Sequence, residues 1–481
     1  MRHSEYTSHD GLGLAALIRS GEVSAAEVAA AARQAIAVIN PGLNAVLSTI
    51  DDQPFAADQP FGGVPFLVKE LVLTARGAMS RGGSRATPAI GMPFDSSLMT
   101  RFRGAGLHLI GTTQTPEMGY NATTEPVAFG PVHNPWKAGH SAGGSSGGSG
   151  AAVAAGLVPV AHANDGGGSI RIPASCNGLV GLKPTRDRTP TGPGSSDPLL
   201  GHAIEYVVTR SIRDCAALLD LVAGPDCGAP HLIAPPAAPF AKLAAASREP
   251  RTVAVVEGSL LGVPVHPECV AAVEKAAALL ADLGHRIVPC PIVLDFEEFA
   301  SHINAVWCLS AAQFVDQVSR ATGCAADREH FEAVTLTCAE FGANVKPLAI
   351  LDALDYVNRI SRETARAFEG FDLLLSSTTC APPPRHGVLD QHDADISAID
   401  WTRKTFRYAG NTPLFNSTGQ PAISLPVHWT GDGLPVGVQI AAGMGEEGRL
   451  LSVGAQLEEV VDWSGKQAAL RARIAGDLDL G

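Results

Sequence analysis

Apolar positions along this chain follow two rhythms, one of helical spacing and one of short continuous runs. Leu14 and Leu17 share a face between Asp10 and Arg19, and Gly21 is placed to stop that helix. Ser24-Ala25-Ala26-Glu27 has the form of a capping box ahead of Val28, Ala32, Ile36 and Val38, with Asn40-Pro41-Gly42 expected to close the helix. Strands are predicted over 44–50 and 107–113, and a helix over 97–105 lies between them. The run Val64-Pro65-Phe66-Leu67-Val68 reads as a short buried strand ending in Lys69. Residues 115–121 follow a strand as a loop, a position suited to a pocket wall. A small-residue helix is expected over 150–157, a strand over 158–161, and a helix over 213–223. The order strand 252–256, helix 267–283, strand 285–288 is a β-α-β unit and argues for an α/β sheet. From 296 to 371 the spacing is almost entirely helical, as in a cap over one end of a sheet. A strand is expected over 372–376, and a long loop follows it from 381. A strand pair turns at Gly431-Asp432-Gly433 before a helix over 446–458.

Length refines this picture only a little. A chain of 481 residues would by itself suggest two to four domains, yet no stretch reads as a flexible linker. We expect one domain, 1–481, with a core at about 61–190 and a helical cap at about 296–371. Hydrophobic residues reach 46% and charged ones 17%, which is globular composition. A net charge of −13 argues against nucleic acid or an anionic membrane as partner. The nine cysteines are widely spaced with no Cys-x-x-Cys, so neither a zinc site nor a disulfide framework is expected, and a cytoplasmic setting fits. The first residues lack the apolar segment of a signal peptide, and the Ala-rich run at 150–160 is too short to span a membrane.

Candidate chemistry concentrates between Gly143 and Arg171, where two glycine-dense loops bracket an apolar run. A linker is excluded by the densely patterned sequence after the first loop. A phosphate loop should close on Lys-Ser/Thr, which is missing. A nucleophile elbow needs a preceding strand, and Ala138-Gly139-His140-Ser141-Ala142 is not one. The second loop, Asp165-Gly166-Gly167-Gly168-Ser169, sets three residues without side chains before a serine. The N–H groups of Gly166, Gly167 and Gly168 could converge as an oxyanion hole beside Ser169 as nucleophile. A serine hydroxyl needs a base. Lys69 can serve if burial depresses its pKa, although read alone it fits a strand-end lysine reaching for water at least as well.

These segments together resemble the signature of the amidase signature family. The likeness rests on 143–150 followed by 165–173, and on Val68-Lys69 upstream. It extends to Thr115-Pro116-Glu117-Met118, Asn134-Pro135-Trp136, Gly181-Leu182-Lys183-Pro184 and Gly419-Gln420-Pro421-Ala422. The resemblance implies an α/β fold with a large, mixed, twisted β-sheet covered on both faces by helices. It implies a Ser-cisSer-Lys triad: Ser169 as nucleophile, Ser145 after a cis peptide bond from Gly144 as relay, and Lys69 as base. Asp165 and Arg171 match positions that brace the site. The expected reaction is hydrolysis of a small-molecule amide through an acyl-Ser169 intermediate, with no cofactor and no metal. A homodimer is compatible with this.

Three departures touch the site's shape: Glu70 where the family usually has Asp, His140 where Arg is common, and Gly166 where a larger residue is frequent. Within the family the chain is similar to bacterial amidases of the 6-aminohexanoate cyclic-dimer hydrolase type. Tyr120 and Cys308 are candidate substrate-binding residues. An aromatic wall at Tyr120 would favour apolar or aryl amides, and Cys308 fits a core sulfur equally well. Two other readings stand beside this one. The glutamine-hydrolysing subunit of a tRNA-dependent amidotransferase typically has Arg-Gln-Pro where this chain has Arg171-Ile172-Pro173. A non-catalytic binding protein on the same fold would not need Lys69, Ser145 and Ser169 intact.

Overall fold

Apolar runs too short for helices build the centre of the molecule. The structure, a computed structural model, describes residues 1–51, 53–194, 197–246 and 248–478. Among these residues eleven strands form one sheet: β1 Val46–Thr49, β2 Pro65–Lys69, β3 His108–Thr113, β4 Val160–Asp165, β5 Val180–Lys183, β6 Ile204–Thr209, β7 Thr252–Val255, β8 Arg286–Pro289, β9 Leu373–Ser377, β10 Ala422–Trp429 and β11 Pro435–Ala442. Their order is β1-β3-β2-β4-β6-β5-β10-β11-β9-β7-β8. β2 runs parallel to β3 and β4, and β7 runs parallel to β8 and β9. The other pairings are antiparallel, so the sheet is mixed.

Alternation along the strands divides the interior in two. Leu373 and Leu375 join an apolar cluster with helices Ala25–Leu43, Ile212–Val222 and Pro267–Asp282. Leu374, between them, joins a second cluster built with helices Phe296–Thr322, Ala333–Ala343 and Pro347–Ala367. Those three helices fill the segment expected to be helical.

Several boundaries differ from expectation for identifiable reasons. The capping box is present, with Ser24 and Glu27 bonding reciprocally. That helix nevertheless continues through Pro41 to Leu43 and ends at Asn44 in the left-handed region. The Asn40 side chain makes this end possible by accepting from the N–H groups of Ala45 and Val46 at 2.9 and 2.8 Å. The small-residue helix begins inside the first glycine loop, at Gly147, and ends at Ala154. Glycine disfavours helix, but complete burial of this segment overrides that preference. β4 starts later than expected and runs further, carrying Asn164 and Asp165 on its end. The helix Ala398–Ala409 lies beyond the acidic stretch, where charge masks its buried stripe of Trp401, Phe406 and Ala409.

Candidate active site

β2 is buried along its whole length and delivers Lys69 into the interior with no solvent exposure. Its Nζ donates to Ser145 Oγ at 2.6 Å, to Ser146 Oγ at 3.0 Å and to Asn164 Oδ1 at 2.5 Å. Lys69 is therefore not a strand-end lysine reaching for water. Burial lowers its pKa to about 7, against the opposing pull of the Glu205 and Asp165 carboxylates. The next residue, Glu70, takes no part in this cluster. It receives both Nε and Nη2 of Arg81, at 2.8 and 2.9 Å, and the Thr112 hydroxyl at 2.6 Å.

The first glycine loop wraps so tightly that a Cβ on Gly144 would overlap the backbone of Thr123. The Gly144–Ser145 peptide is cis, as the family resemblance implies. Thr124 Oγ1 donates to the Gly143 carbonyl at 2.8 Å and accepts from the Gly147 N–H at 3.1 Å, so one hydroxyl holds both flanks of Ser145.

The second loop is organised by Asp165 at the end of β4. Its Oδ1 accepts from the Gly168 N–H at 2.6 Å, and its Oδ2 accepts from the Ile170 N–H at 3.2 Å. Arg171 closes a bidentate pair with the same carboxylate at 2.8 and 2.9 Å, both residues being wholly buried. Burial alone would raise the Asp165 pKa. The Arg171 guanidinium and the Asn416 amide override it and hold the carboxyl at about 2. The remaining Arg171 donors reach the Thr412 carbonyl, Gln439 Oε1 and Asn416 Oδ1 at 2.9, 2.6 and 2.6 Å. The Gly168 N–H is thus already engaged. Among the described residues, the N–H groups of Gly166, Gly167 and Ser169 have no intramolecular acceptor.

Ser145, Ser169, Gly166 and Gly167 share the wall of a cavity of about 320 Å³. Tyr120, Phe314 and Trp307 supply its aromatic surface, and among the described residues no charged side chain lines it. The arrangement offers a buried amine on one serine, a second serine open to the same space, and free backbone donors beside it. No group of His, Cys, Asp and Glu among the described residues is assembled to hold a metal.

Comparison with known proteins agrees with this geometry. The amidase family model matches residues 23–451. The 6-aminohexanoate-cyclic-dimer hydrolase of Paenarthrobacter ureafaciens is 36% identical over 475 residues, covering 96% of each chain. That of Pseudomonas sp. (strain NK87) is 37% identical, again over 96% of each. A solved 6-aminohexanoate cyclic dimer hydrolase complexed with substrate superposes with a TM-score of 0.90 at 34% identity, over 97% of this chain and 99% of the other. The chain belongs to the amidase family. It is a hydrolase with the amidase signature fold.

In this amidase the two candidate substrate contacts are placed differently. Tyr120 lines the cavity, its ring set edge-on to Trp307 with centroids 5.0 Å apart and its hydroxyl 3.2 Å from Thr402 Oγ1. Cys308 is not on the wall. Helical periodicity turns Trp307, Ser310, Phe314 and Gln317 toward the cavity and Cys308 away from it. Cys308 Sγ instead bonds Asn304 Oδ1 at 3.3 Å and lies 3.8 Å from the Tyr120 hydroxyl, so it touches the cavity only through Tyr120.

Other site residues escape a reading by motif. Ser146 lies inside the first motif and Asn164 beside the second, and both could have been found by asking what a buried ammonium needs besides one serine. Trp307, Thr412 and Gln439 carry no local signal. No helix among the described residues is long and apolar enough to cross a membrane.

Proposed function

We propose that this amidase cleaves an uncharged carboxylic amide, linear or cyclic, through an acyl-enzyme on Ser169. The observation carrying the reading is the 2.6 Å contact between buried Lys69 Nζ and Ser145 Oγ, beside a cavity without charged walls. Neutral Lys69 takes the Ser145 proton while Ser145 takes that of Ser169. Ser169 Oγ attacks the amide carbon, and the developing oxyanion is met by the N–H groups of Gly166, Gly167 and Ser169. Gly168 contributes by holding the loop through Asp165, and Arg171 keeps Asp165 ionised and oriented. The proton then passes back through Ser145 to the departing amine, and water releases the acid by the reverse route.

The uncharged wall also speaks to the substrate. A cyclic dimer of an amino acid, as named for the two relatives, has two amide groups and no free ends. Such a molecule enters without shedding the hydration of a charge. Glutamine carries an ammonium and a carboxylate that this cavity would leave unpaired, so an amidotransferase role is disfavoured. In this reading residues 296–371 form a cap within a single domain, 1–481, and Trp307, Ser310 and Phe314 are its contribution to selectivity. The nine cysteines are unpaired, which suits a cytoplasmic setting.

The test is the purified chain alone, given a panel of neutral linear, aryl and cyclic amides beside glutamine. Expected are turnover of neutral amides, little glutaminase activity, and a trapped acyl group on the Ser169 peptide by mass spectrometry. An acyl group on another residue, or undiminished turnover by Ser169→Ala, would overturn the assignment.

A further inference from the structure

Beside the Lys69 backbone, two buried side chains lack the hydrogen-bond partners their burial demands. The β2–β4 ladder pairs Phe66 with Val160 and Leu67 with Ala161 and then stops. The Lys69 backbone N–H donates instead to a side chain of β4, His162 Nδ1, at 3.3 Å. That bond puts the ring proton of neutral His162 on Nε2. Nε2 faces Glu205 Oε1 on β6 at 3.3 Å. His162 has no exposure and Glu205 has 6%. Beyond this approach, neither of the two atoms has a hydrogen-bond partner among the described residues, so each is held only by the other. A line of groups thus runs from a carboxylate on β6, through an imidazole on β4, to the lysine on β2.

We propose that Glu205, acting through His162, is a positioning residue that keeps Lys69 a strong enough base for the amidase reaction. The inference rests on Lys69 being the base, as proposed above. Two demands conflict at a buried lysine. It must lose its proton near neutral pH, which desolvation favours. It must also bind a proton tightly enough to take one from a serine, which desolvation opposes. A carboxylate at one remove, in surroundings of low polarity, resists the second loss without forming an ion pair that would fix the ammonium. Of the other carboxylates near Lys69, Asp165 pulls the same way but less, being paired with Arg171, and Glu70 is turned to Arg81. His162 supplies the spacing: it anchors the Lys69 backbone with one nitrogen and orients toward the carboxylate with the other.

The experiment compares pH profiles of kcat/KM for wild type, Glu205→Asp and Glu205→Gln on one neutral amide, with melting curves for each. Glu205→Gln is expected to move the acid limb to lower pH by roughly half to one unit and to lower the plateau, because a weaker base titrates earlier and catalyses less well. Glu205→Asp keeps the charge but withdraws it from His162, so its limb falls between the two and remains readable should Glu205→Gln fold poorly. A role confined to packing would lower the plateau and leave the limb in place, and a limb that stays or moves upward in the folded variants overturns the proposal. Lys69→Ala separates the two ideas: if it is inactive while the Glu205 limbs are unmoved, only the role of Glu205 fails. If Lys69→Ala retains activity, the reading of Lys69 as base fails first.

Discussion

If Lys69 is the base proposed above, its exclusion from water sets how activity answers to pH. As the proposed base Lys69 must be deprotonated to act, and its pKa of about 7 sits far below that of an exposed lysine. The kcat/KM of the wild-type enzyme should therefore rise with pH through about 7, and a flat profile between pH 5.5 and 8.5 would contradict the assignment. Lys69→Arg should not rescue Lys69→Ala, because a guanidinium keeps its proton throughout this range. Asp165 makes a stability prediction of the same sign in pH, in a more acid range. Its folded-state pKa of about 2 lies below the unfolded value. The stabilisation is complete above the unfolded pKa and is lost as pH falls through the folded one. Asp165→Asn leaves Arg171 buried without its counter-charge and should cost about 3–5 kcal/mol, measurable by denaturant unfolding. These residues also mark what sequence can disclose. Ser169, Asp165 and Arg171 fall within one local motif and are legible together. Thr412, Asn416 and Gln439, which complete the Arg171 shell, are 241 to 268 positions away, and only folding brings them near.

Among the elements, the helix Phe296–Thr322 is the one on which cavity shape depends. Trp307 on this helix lies so close to the second glycine loop that a Cβ added to Gly167 would stand 2.5 Å from its ring. On the opposite side, the helix meets Ala333–Ala343 at Gly342, where a Cβ would overlap the Cys308 carbonyl oxygen. Gly342→Ala should separate the two helices at a cost of about 1–3 kcal/mol. Because the displacement moves Trp307, KM should rise as well, whereas a fall in melting temperature with unchanged KM would show the two faces of the helix to be independent. Elements of this kind were legible as helices from spacing, and the central strands from their apolar runs. The register of the helix was not. Cys308 and Trp307 are neighbours in sequence, and the choice between them at the cavity depends on which face a second helix occupies. The first glycine loop misleads for a different reason. Glycine reads as loop, yet Gly147–Ala154 is helical and wholly buried, and Gly147, Gly148 and Gly150 are there because a Cβ would stand 2.4, 2.5 and 2.6 Å from neighbouring atoms.

For the whole molecule, the two apolar clusters share one sheet, and Leu374, Ala422 and Ala441 pack directly against the cap side. The helices of 296–371 therefore share their apolar cluster with strands of the common sheet. Calorimetry should record a single unfolding transition, and a separate early transition for 296–371 would argue for an independent unit. The uncharged cavity has a consequence beyond selection of what enters. Hydrolysis of a neutral amide near pH 7 yields a carboxylate and an ammonium. A chamber that welcomes the intact molecule is thus a poor host for both fragments, each of which gains hydration by leaving. The bond cleavage itself converts a ligand into something the protein rejects, so turnover should proceed with little inhibition by accumulated acid or amine. A linear oligomer with ionised ends should react only at amides far enough from those ends to leave them in water.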